Sequence, residues 1–298
     1  MDFICPIHKT TECVKQKKTF STGHLMKLYK KYYNIDTTQY FETLEEISLY
    51  ICKRTKYCFF QPKRITGDKL FYEQLLKQNQ YYLPWKWENE QALHWISEKD
   101  SVLEIACGNG NFLKKASKKA AVCIGLDLMA DSFKEENIEI IKEDYLSFFK
   151  TNTDKFDVIV SFQFLEHIYD IDEFFQFIIS LLKPNGKLIL GVPDNESILI
   201  KKEEVLNFPP HHMGMWTKKS LKMVGESYGF KTIFSKTEPL QPHFVNRRIY
   251  MKELQRIEKL GYIGKILNKL FHRISLFLYI NLPTLFKGHS FIIVMVKK

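Results

Sequence analysis

From Ser101 to Pro193 short apolar runs alternate with stretches of helical period, and no other feature restricts the fold as much. "SVLEIAC", "AVCIGLD", "IEIIKED", "FDVIVSF" and "KLILGVP" read as strands buried on both faces. "GNFLKKASKKA" reads as a helix behind a glycine-rich turn. "IDEFFQFIISLL" sets Ile171, Phe174, Phe175, Ile178, Ile179 and Leu182 along one helical side. Pro184 and Gly186 in "KPNG" predict a turn. Such alternation predicts an α/β fold, a mostly parallel sheet covered by helices on both faces. Farther on, "TKKSLKMVGESYGF" reads as a helix from Thr217 to near Gly229. "KTIFSKTEP" and the closing "HSFIIVMVKK" read as strands.

The first eighty residues have a different character. They hold Cys5, Cys13, Cys52 and Cys58 and show little periodicity. "YYLPWKWENE", punctuated by Pro84, marks a boundary, with a helix expected over Trp87–Ile96. The expected organisation is an N-terminal segment over 1–80 and an α/β domain over 81–298. The 298 residues carry 44 Lys+Arg against 34 Asp+Glu, a net charge of +10. The basic residues are spread along the chain beside abundant Lys, Ile, Asn and Phe. The charge therefore reads as compositional bias rather than as a nucleic-acid face. No apolar signal core follows Met1, and the uncharged run Ile274–Phe286 is short for a bilayer span and holds Pro283. A cytoplasmic location is expected, where six cysteines serve as thiols or metal ligands rather than disulfides.

Ligands of open α/β sheets bind beyond the carboxyl ends of the strands. There the first strand ends in Glu104, and Gly108 and Gly110 let the backbone approach a ligand closely. A dinucleotide site wants a third glycine, but Leu113 stands at that position, and an acid beside phosphates is unfavourable. The turn thus suits a ligand carrying positive charge. Asp127 ends the second strand, where a carboxylate can take both hydroxyls of a ribose. Asp144 in "KEDYL" is placed to accept from an adenine amino group. "SFQFLEHI", with Ser161, would form the floor between cofactor and acceptor.

"VLEIACGNG", "GLD", "KEDYL" and the run from Phe156 to Asp194 together resemble the successive motifs of class I S-adenosylmethionine-dependent methyltransferases, over roughly residues 87 to 194. The resemblance implies a Rossmann-like, seven-stranded sheet with an antiparallel last strand, and S-adenosylmethionine as cofactor. It implies that Glu104, Ala106, Gly108 and Gly110 hold the methionine part and that Asp127 binds the ribose. Leu128 and Met129 would pack on the adenine, with Asp144 and Tyr145 at its amino edge. Cys107 falls where the family varies and reads as a small buried residue rather than a nucleophile.

The front of the chain, "CPIH…YICKRTKYCFFQP", is similar to methyltransferases encoded with bacterial surface-polysaccharide and sugar-modifying enzymes. Their N-terminal segment carries two C-x-x-C pairs that hold zinc. Here His8 replaces one cysteine, and Thr55, a poor ligand, replaces another. A mixed site of Cys5, His8, Cys52 and Cys58 is chemically admissible. The alternative is a degenerate segment held by packing. Past Pro193, "NFPPHHMGMWTKKSL" resembles the acceptor-facing segment of sugar and small-molecule methyltransferases. Methyl transfer to a hydroxyl is helped by a base, and neutral histidine suits that task. His211 and His212 are the candidates, ahead of His167 and Glu166.

The function expected is methyl transfer to a sugar, nucleotide-sugar or cell-envelope precursor. Two alternatives stand beside it. One is an RNA methyltransferase, favoured only by charge and lacking an "NPPY"-like tetrapeptide. The other is a cofactor-binding scaffold without activity. A basic helical insertion is expected over about 247–286, with an apolar stripe through Leu254, Ile257, Ile263, Leu267, Leu270, Ile274 and Phe277. It reads as a lid or dimer surface, or as a basic amphipathic face on anionic lipid at the inner side of a membrane.

Overall fold

Two sheets share the chain in this computed structural model, which describes residues 4–78, 83–197, 204–239 and 287–297. The expected insertion over 247–286 lies outside the described residues. The N-terminal part runs β1 (Val14–Ser21), α1 (Thr22–Tyr33), α2 (Thr38–Phe41), β2 (Glu46–Cys52), β3 (Cys58–Gln61) and α3 (Lys69–Leu76). There follow α4 (Trp87–Leu93), β4 (Ser101–Ile105), α5 (Asn111–Ala116), β5 (Val122–Leu126), β6 (Phe133–Glu135), β7 (Ile138–Ile141), α6 (Tyr145–Thr151) and β8 (Phe156–Phe162). The chain continues with α7 (Ile171–Leu181), β9 (Leu182–Pro193), β10 (Gly214–Met215), α8 (Lys218–Ser227), β11 (Phe230–Pro239) and β12 (Lys287–Lys297).

The large sheet has the order β11-β12-β9-β8-β4-β5-β7-β6. β4, β5, β7, β8 and β9 pair in parallel, whereas β12 runs antiparallel to both β9 and β11. The expected sheet is therefore present, with eight strands rather than seven. The extra one is β6, a three-residue edge strand with every residue exposed, too polar to be read from apolar pattern. β9 also begins earlier than expected, at Leu182, and takes the Pro184–Gly186 stretch into its first turn of ladder through a register shift against β8. Asn185 absorbs that irregularity at φ 60°. α7 buries Ile171, Phe174, Phe175, Phe177, Ile178 and Leu181 against one face of the sheet. α8 starts on a capping box, in which the Thr217 hydroxyl accepts from Ser220 N–H at 3.0 Å.

The small sheet has the order β1-β2-β3-β10, all antiparallel where paired. Its last strand comes from the segment just after His211 and His212. That pairing ties the first eighty residues to the second half of the chain. Apolar packing does the same, because Cys5, Cys52, Tyr57 and Phe59 share one core cluster with α7 and the large sheet. Trp216, fully buried, stacks on Tyr57 with ring centroids 4.1 Å apart. Gly214 is needed here, since a Cβ would sit 2.2 Å from the Tyr57 hydroxyl oxygen. Among the described residues no helix is long and apolar enough to cross a membrane.

Truncating Trp216 removes a large side chain from the core cluster that the two sheets share. Trp216→Ala is expected to lower unfolding free energy by about 3–5 kcal/mol, the usual range for a large buried aromatic. Urea denaturation followed by circular dichroism measures it, and a loss under about 1 kcal/mol would show that the junction is not a shared core.

Candidate functional site

The carboxyl ends of β4 and β8 and the start of α5 meet at one cleft, lined by Lys86, Asn89, Glu104, Ala106, Asn111 and Phe162 among others. β4 is hydrogen-bonded on both sides, by β5 and β8, so its side chains are fixed in direction. Ala106, Gly108 and Gly110 all take positive φ, at 59°, 53° and 66°. The backbone thus leaves the strand in a left-handed coil that favours residues with little or no side chain. At Gly110 a Cβ would also stand 2.4 Å from Ile140 Cδ1. Cys107 borders the cleft and packs its side chain toward Gly125. It is buried with its Sγ where a Cβ on Gly125 would otherwise lie, and burial pushes its thiol pKa up. It is a packing residue, as the sequence indicated.

Glu104 is 4% exposed, and its Oε2 has no hydrogen-bond partner among the described residues. Burial, with the nearby Asp127 charge adding to it, holds its carboxyl well above the usual range. A buried acid with an unused oxygen beside a second acid is a site short of positive charge. Asp127 is better provided for. Its Oδ2 accepts Gly108 N–H at 2.8 Å, and its Oδ1 accepts Met129 N–H at 2.7 Å and Ala130 N–H at 3.2 Å. Three of about four lone-pair positions are used, so Asp127 keeps one acceptor position for an outside donor, where the expected pair of hydroxyls would need two. Its other work is to fasten the glycine turn to the end of β5.

Asp144 caps α6. Its Oδ1 accepts from Leu146 and Ser147 N–H at 2.9 and 3.0 Å, and its Oδ2 accepts the Ser147 hydroxyl at 2.7 Å. One acceptor position on Oδ2 is left for an outside donor. Leu128 is exposed and Met129 half-buried just after β5. Tyr145 packs edge-on against Phe164, Phe174 and Phe177, so its ring serves the core under α7. Ser161 departs from expectation. It is 2% exposed inside β8, and its hydroxyl donates to Ile105 O at 3.1 Å, which locks β8 to β4 instead of facing a ligand.

Beyond β8 the chain turns at Gln163, φ 53°, whose amide donates to Glu88 Oε1 at 2.9 Å. Glu88 is buried in the first turn of α4, and burial raises its pKa. Gln163 falls in the stretch expected to form the floor of the site, whereas Glu88 is unexpected, because an acid in "KWENE" looks like an exposed helix start. Next come Glu166 and His167, which meet His211 and His212. Rings of His167 and His211 lie 4.6 Å apart, those of His167 and His212 4.9 Å, and those of His211 and His212 stack at 4.4 Å. One nitrogen of each lies within 4.8 Å of the other two. His211 Nδ1 stands 2.7 Å from Leu206 O, His167 Nδ1 2.8 Å from His211 O, and His212 Nδ1 3.2 Å from Asn207 Oδ1. Asn207 donates its amide to Asn195 Oδ1, so its own oxygen faces His212. Carbonyls only accept, so each Nδ1 bears the proton and each Nε2 is the basic nitrogen. Burial keeps all three rings neutral, holding His167 down to about 4 and the other two well below the usual range. Sequence reasoning ranked His167 and Glu166 behind the pair, yet the structure makes His167 an equal member.

The sulfur cluster differs from the expected ligand set. Cys5, Cys13 and Cys52 converge within 4.8 Å, all buried, with Cys13 and Cys52 sulfurs 3.8 Å apart. Cys58 is excluded because side chains alternate along β3. Phe59 faces the sulfur cluster, while Cys58 and Phe60 face the opposite core. Cys58 Sγ instead meets Lys17 Nζ at 3.8 Å. Cys13 enters because Val14 pairs with Cys52 across β1 and β2, and Lys53 N–H donates to Cys13 O at 2.7 Å. His8 is not part of the convergent set, although its Nε2 is buried with no partner among the described residues. Cys5 and Cys52 share a proton, an interaction that raises the pKa of one thiol and lowers that of the other.

Glu104 has a direct signature. Its pKa is raised in the folded state, so the folded chain binds more protons than the unfolded one above the ordinary carboxylate range. Stability is then full at low pH and is lost as pH rises. Glu104→Gln should be more stable than the native chain at neutral pH and should lack that part of the decline. Urea unfolding from about pH 5 to about pH 8 checks it, and parallel curves for the two proteins would contradict it.

The profile of the family described as "Methyltransferase domain" matches residues 75–234, more than half of the chain and the whole of the cleft just described. Ubiquinone biosynthesis O-methyltransferase of Glaesserella parasuis serovar 5 (strain SH0165) is 29% identical over 146 residues, 41% of this chain and 62% of that protein. The mitochondrial enzyme of that name from Bos taurus is 22% identical over 149 residues, 43% of this chain and 40% of that protein. The chain spans less than two thirds of the length of either relative. The crystal structure of a SAM dependent methyltransferase from Archaeoglobus fulgidus aligns with 70% of this chain and 90% of that one, at 21% identity and a TM-score of 0.46. With its strand order, its left-handed turn after β4 and its matched profile, the chain belongs to the methyltransferase-domain family.

Proposed function

We propose that the chain transfers a methyl group from S-adenosylmethionine to an oxygen of a small acceptor, of sugar type. The observation that carries the cofactor is Glu104, a buried carboxylate with an unused oxygen beside Asp127. An ammonium and a sulfonium supply the positive charge that the cleft lacks. Glu104 would hold the ammonium, the turn from Ala106 to Gly110 would lie against the methionine part, and Asp127 would take one ribose hydroxyl. Leu128 and Met129 would border the adenine, with the open acceptor position of Asp144 toward its amino group. The cofactor, when bound, supplies an activated methyl. This chain's residues align the acceptor, exclude water and draw off the acceptor's proton.

The acceptor side falls to Glu166, His167, His211 and His212. Lys86 lines the cofactor cleft and lies close enough to Glu166, His167 and His211 to bias their ionisation, which supports their standing next to the reacting methyl. Neutral, buried imidazoles suit proton removal from a hydroxyl at neutral pH. The relatives, by their names, act in ubiquinone biosynthesis as O-methyltransferases, which favours oxygen as the accepting atom. The sugar-type acceptor follows from the likeness of the N-terminal segment. Asp127→Ala should weaken S-adenosylmethionine binding by about 1.5–3 kcal/mol, the scale of hydrogen bonds to a charged group. Calorimetry measures it, and unchanged affinity would remove the ribose assignment.

A second reading concerns the N-terminal segment. Three buried thiols within 4.8 Å of one another support a soft-metal site of Cys5, Cys13 and Cys52, with zinc as the natural occupant. His8 is placed by sequence to serve as fourth ligand after a turn of its side chain. Metal analysis of untagged protein should then show zinc that is lost in Cys13→Ser and retained in Cys58→Ser. Equal zinc in both variants would return the segment to packing alone.

A further inference from the structure

We propose that His167, His211 and His212 form a binding site for a divalent transition-metal ion of the Zn2+ class, on the acceptor side of the cofactor cleft. The inference rests on reading this cluster as the acceptor side, and it names the agent that acts on the acceptor. A packing knot of three histidines needs no common proton pattern. Here each ring gives its Nδ1–H to an oxygen: Leu206 O, His211 O and Asn207 Oδ1. That bond is the outer support that fixes the tautomer and aim of metal-binding histidines. It leaves Nε2 as the basic nitrogen on all three rings. One nitrogen of each lies within 4.8 Å of the others; a tetrahedral site with bonds of about 2.1 Å needs about 3.4 Å, and the His211 and His212 rings, stacked at 19°, must also turn out of parallel so that both ring planes meet at the ion.

Charge is also provided for. Glu166 is 1% exposed, with Oε1 3.9 Å from His167 Nε2 and Oε2 lacking a hydrogen-bond partner among the described residues. This buried carboxylate offsets part of a dication, and Lys86 adds a positive charge that the site must tolerate. Three protein ligands leave a fourth position for water or an acceptor oxygen, as in catalytic rather than structural zinc sites. An acceptor hydroxyl bound there would lose its proton more readily, and Glu166, whose Oε2 has no partner among the described residues, would take that proton while the three Nε2 atoms hold the ion. The supports are built in. Tyr72 OH lies 3.2 Å from His167 Nδ1, and Asn207 is itself oriented by Asn195.

The test is zinc binding by the full chain, read by calorimetry and by X-ray absorption of the bound ion. The native protein should show zinc with imidazole nitrogen neighbours. His212→Gln should lose this zinc, with affinity down by more than about 100-fold, and Asn207→Ala should weaken it about 10–100-fold while circular dichroism stays native. Zinc with sulfur neighbours only, or equal affinity in native and Asn207→Ala proteins, overturns the inference. Methyl transfer separates it from the functional reading. Turnover lost in His212→Gln from a native chain that holds no nitrogen-bound zinc overturns the metal and leaves the imidazole as base. Zinc bound through nitrogen without any change in turnover upholds the metal and removes the catalytic reading.

Discussion

A carboxylate with no countercharge, sealed at the end of β4, is the constraint around which the rest of the site is organised. Glu104 pairs with Gly125 on one side and Val160 on the other, so the strand cannot rotate it into water. Burying an ionised acid this way is costly, and a proton or a cation must relieve the cost. The surrounding residues follow from keeping that position open. Ala106, Gly108 and Gly110 curl the backbone past it, Asp127 clamps the curl through Gly108 N–H, and Cys107 fills the space beside Gly125. Stability is thus lowered locally where binding is to occur, a trade common at functional sites.

The N-terminal segment has a mechanical part in the same account. It holds the loop that carries His211 and His212 from several directions. Tyr29 OH donates to Phe208 O at 2.8 Å, Gly67 N–H donates to Pro210 O at 2.8 Å, and Phe60 N–H donates to Met213 O at 2.9 Å. Glu166 O accepts from both Met213 and Gly214 N–H, which fastens the loop to the end of β8. A loop with this many buried supports is rigid, as a site that must aim an acceptor requires. The N-terminal segment therefore fixes the position of the proposed acceptor-side histidines.

Much of this was legible in the sequence, for identifiable reasons. Buried parallel strands are largely apolar, so β4, β5, β7, β8 and β9 stood out, and Glu104 was conspicuous as the acid just before the glycine turn. Thr217 marked the start of α8 by its capping chemistry. Spacing could not reveal side-chain direction. Ser161 looked available and is spent on Ile105, and Cys58 looked like a ligand and faces the other side of β3. Cys13 and His167 joined their clusters through pairings distant in sequence, which composition does not encode. β6 was invisible because an exposed three-residue edge has no apolar signal. Glu88 was missed because its burial depends on α4 packing close over Gly191, where a Cβ would lie 2.9 Å from Glu88 Cγ.

The central claim is that Glu104 answers a cationic cofactor, and proton release on binding tests it most directly. In the free protein burial keeps Glu104 protonated beyond the ordinary range, and an ammonium beside it would favour the ionised form. Calorimetric titration with S-adenosylmethionine in two buffers of different ionisation heat measures the protons exchanged. The account predicts tight binding with net release of protons at neutral pH, and loss of that release in Glu104→Gln. Binding with no proton exchange in the native protein, or failure to bind S-adenosylmethionine beside clear binding of a nicotinamide dinucleotide, would contradict it.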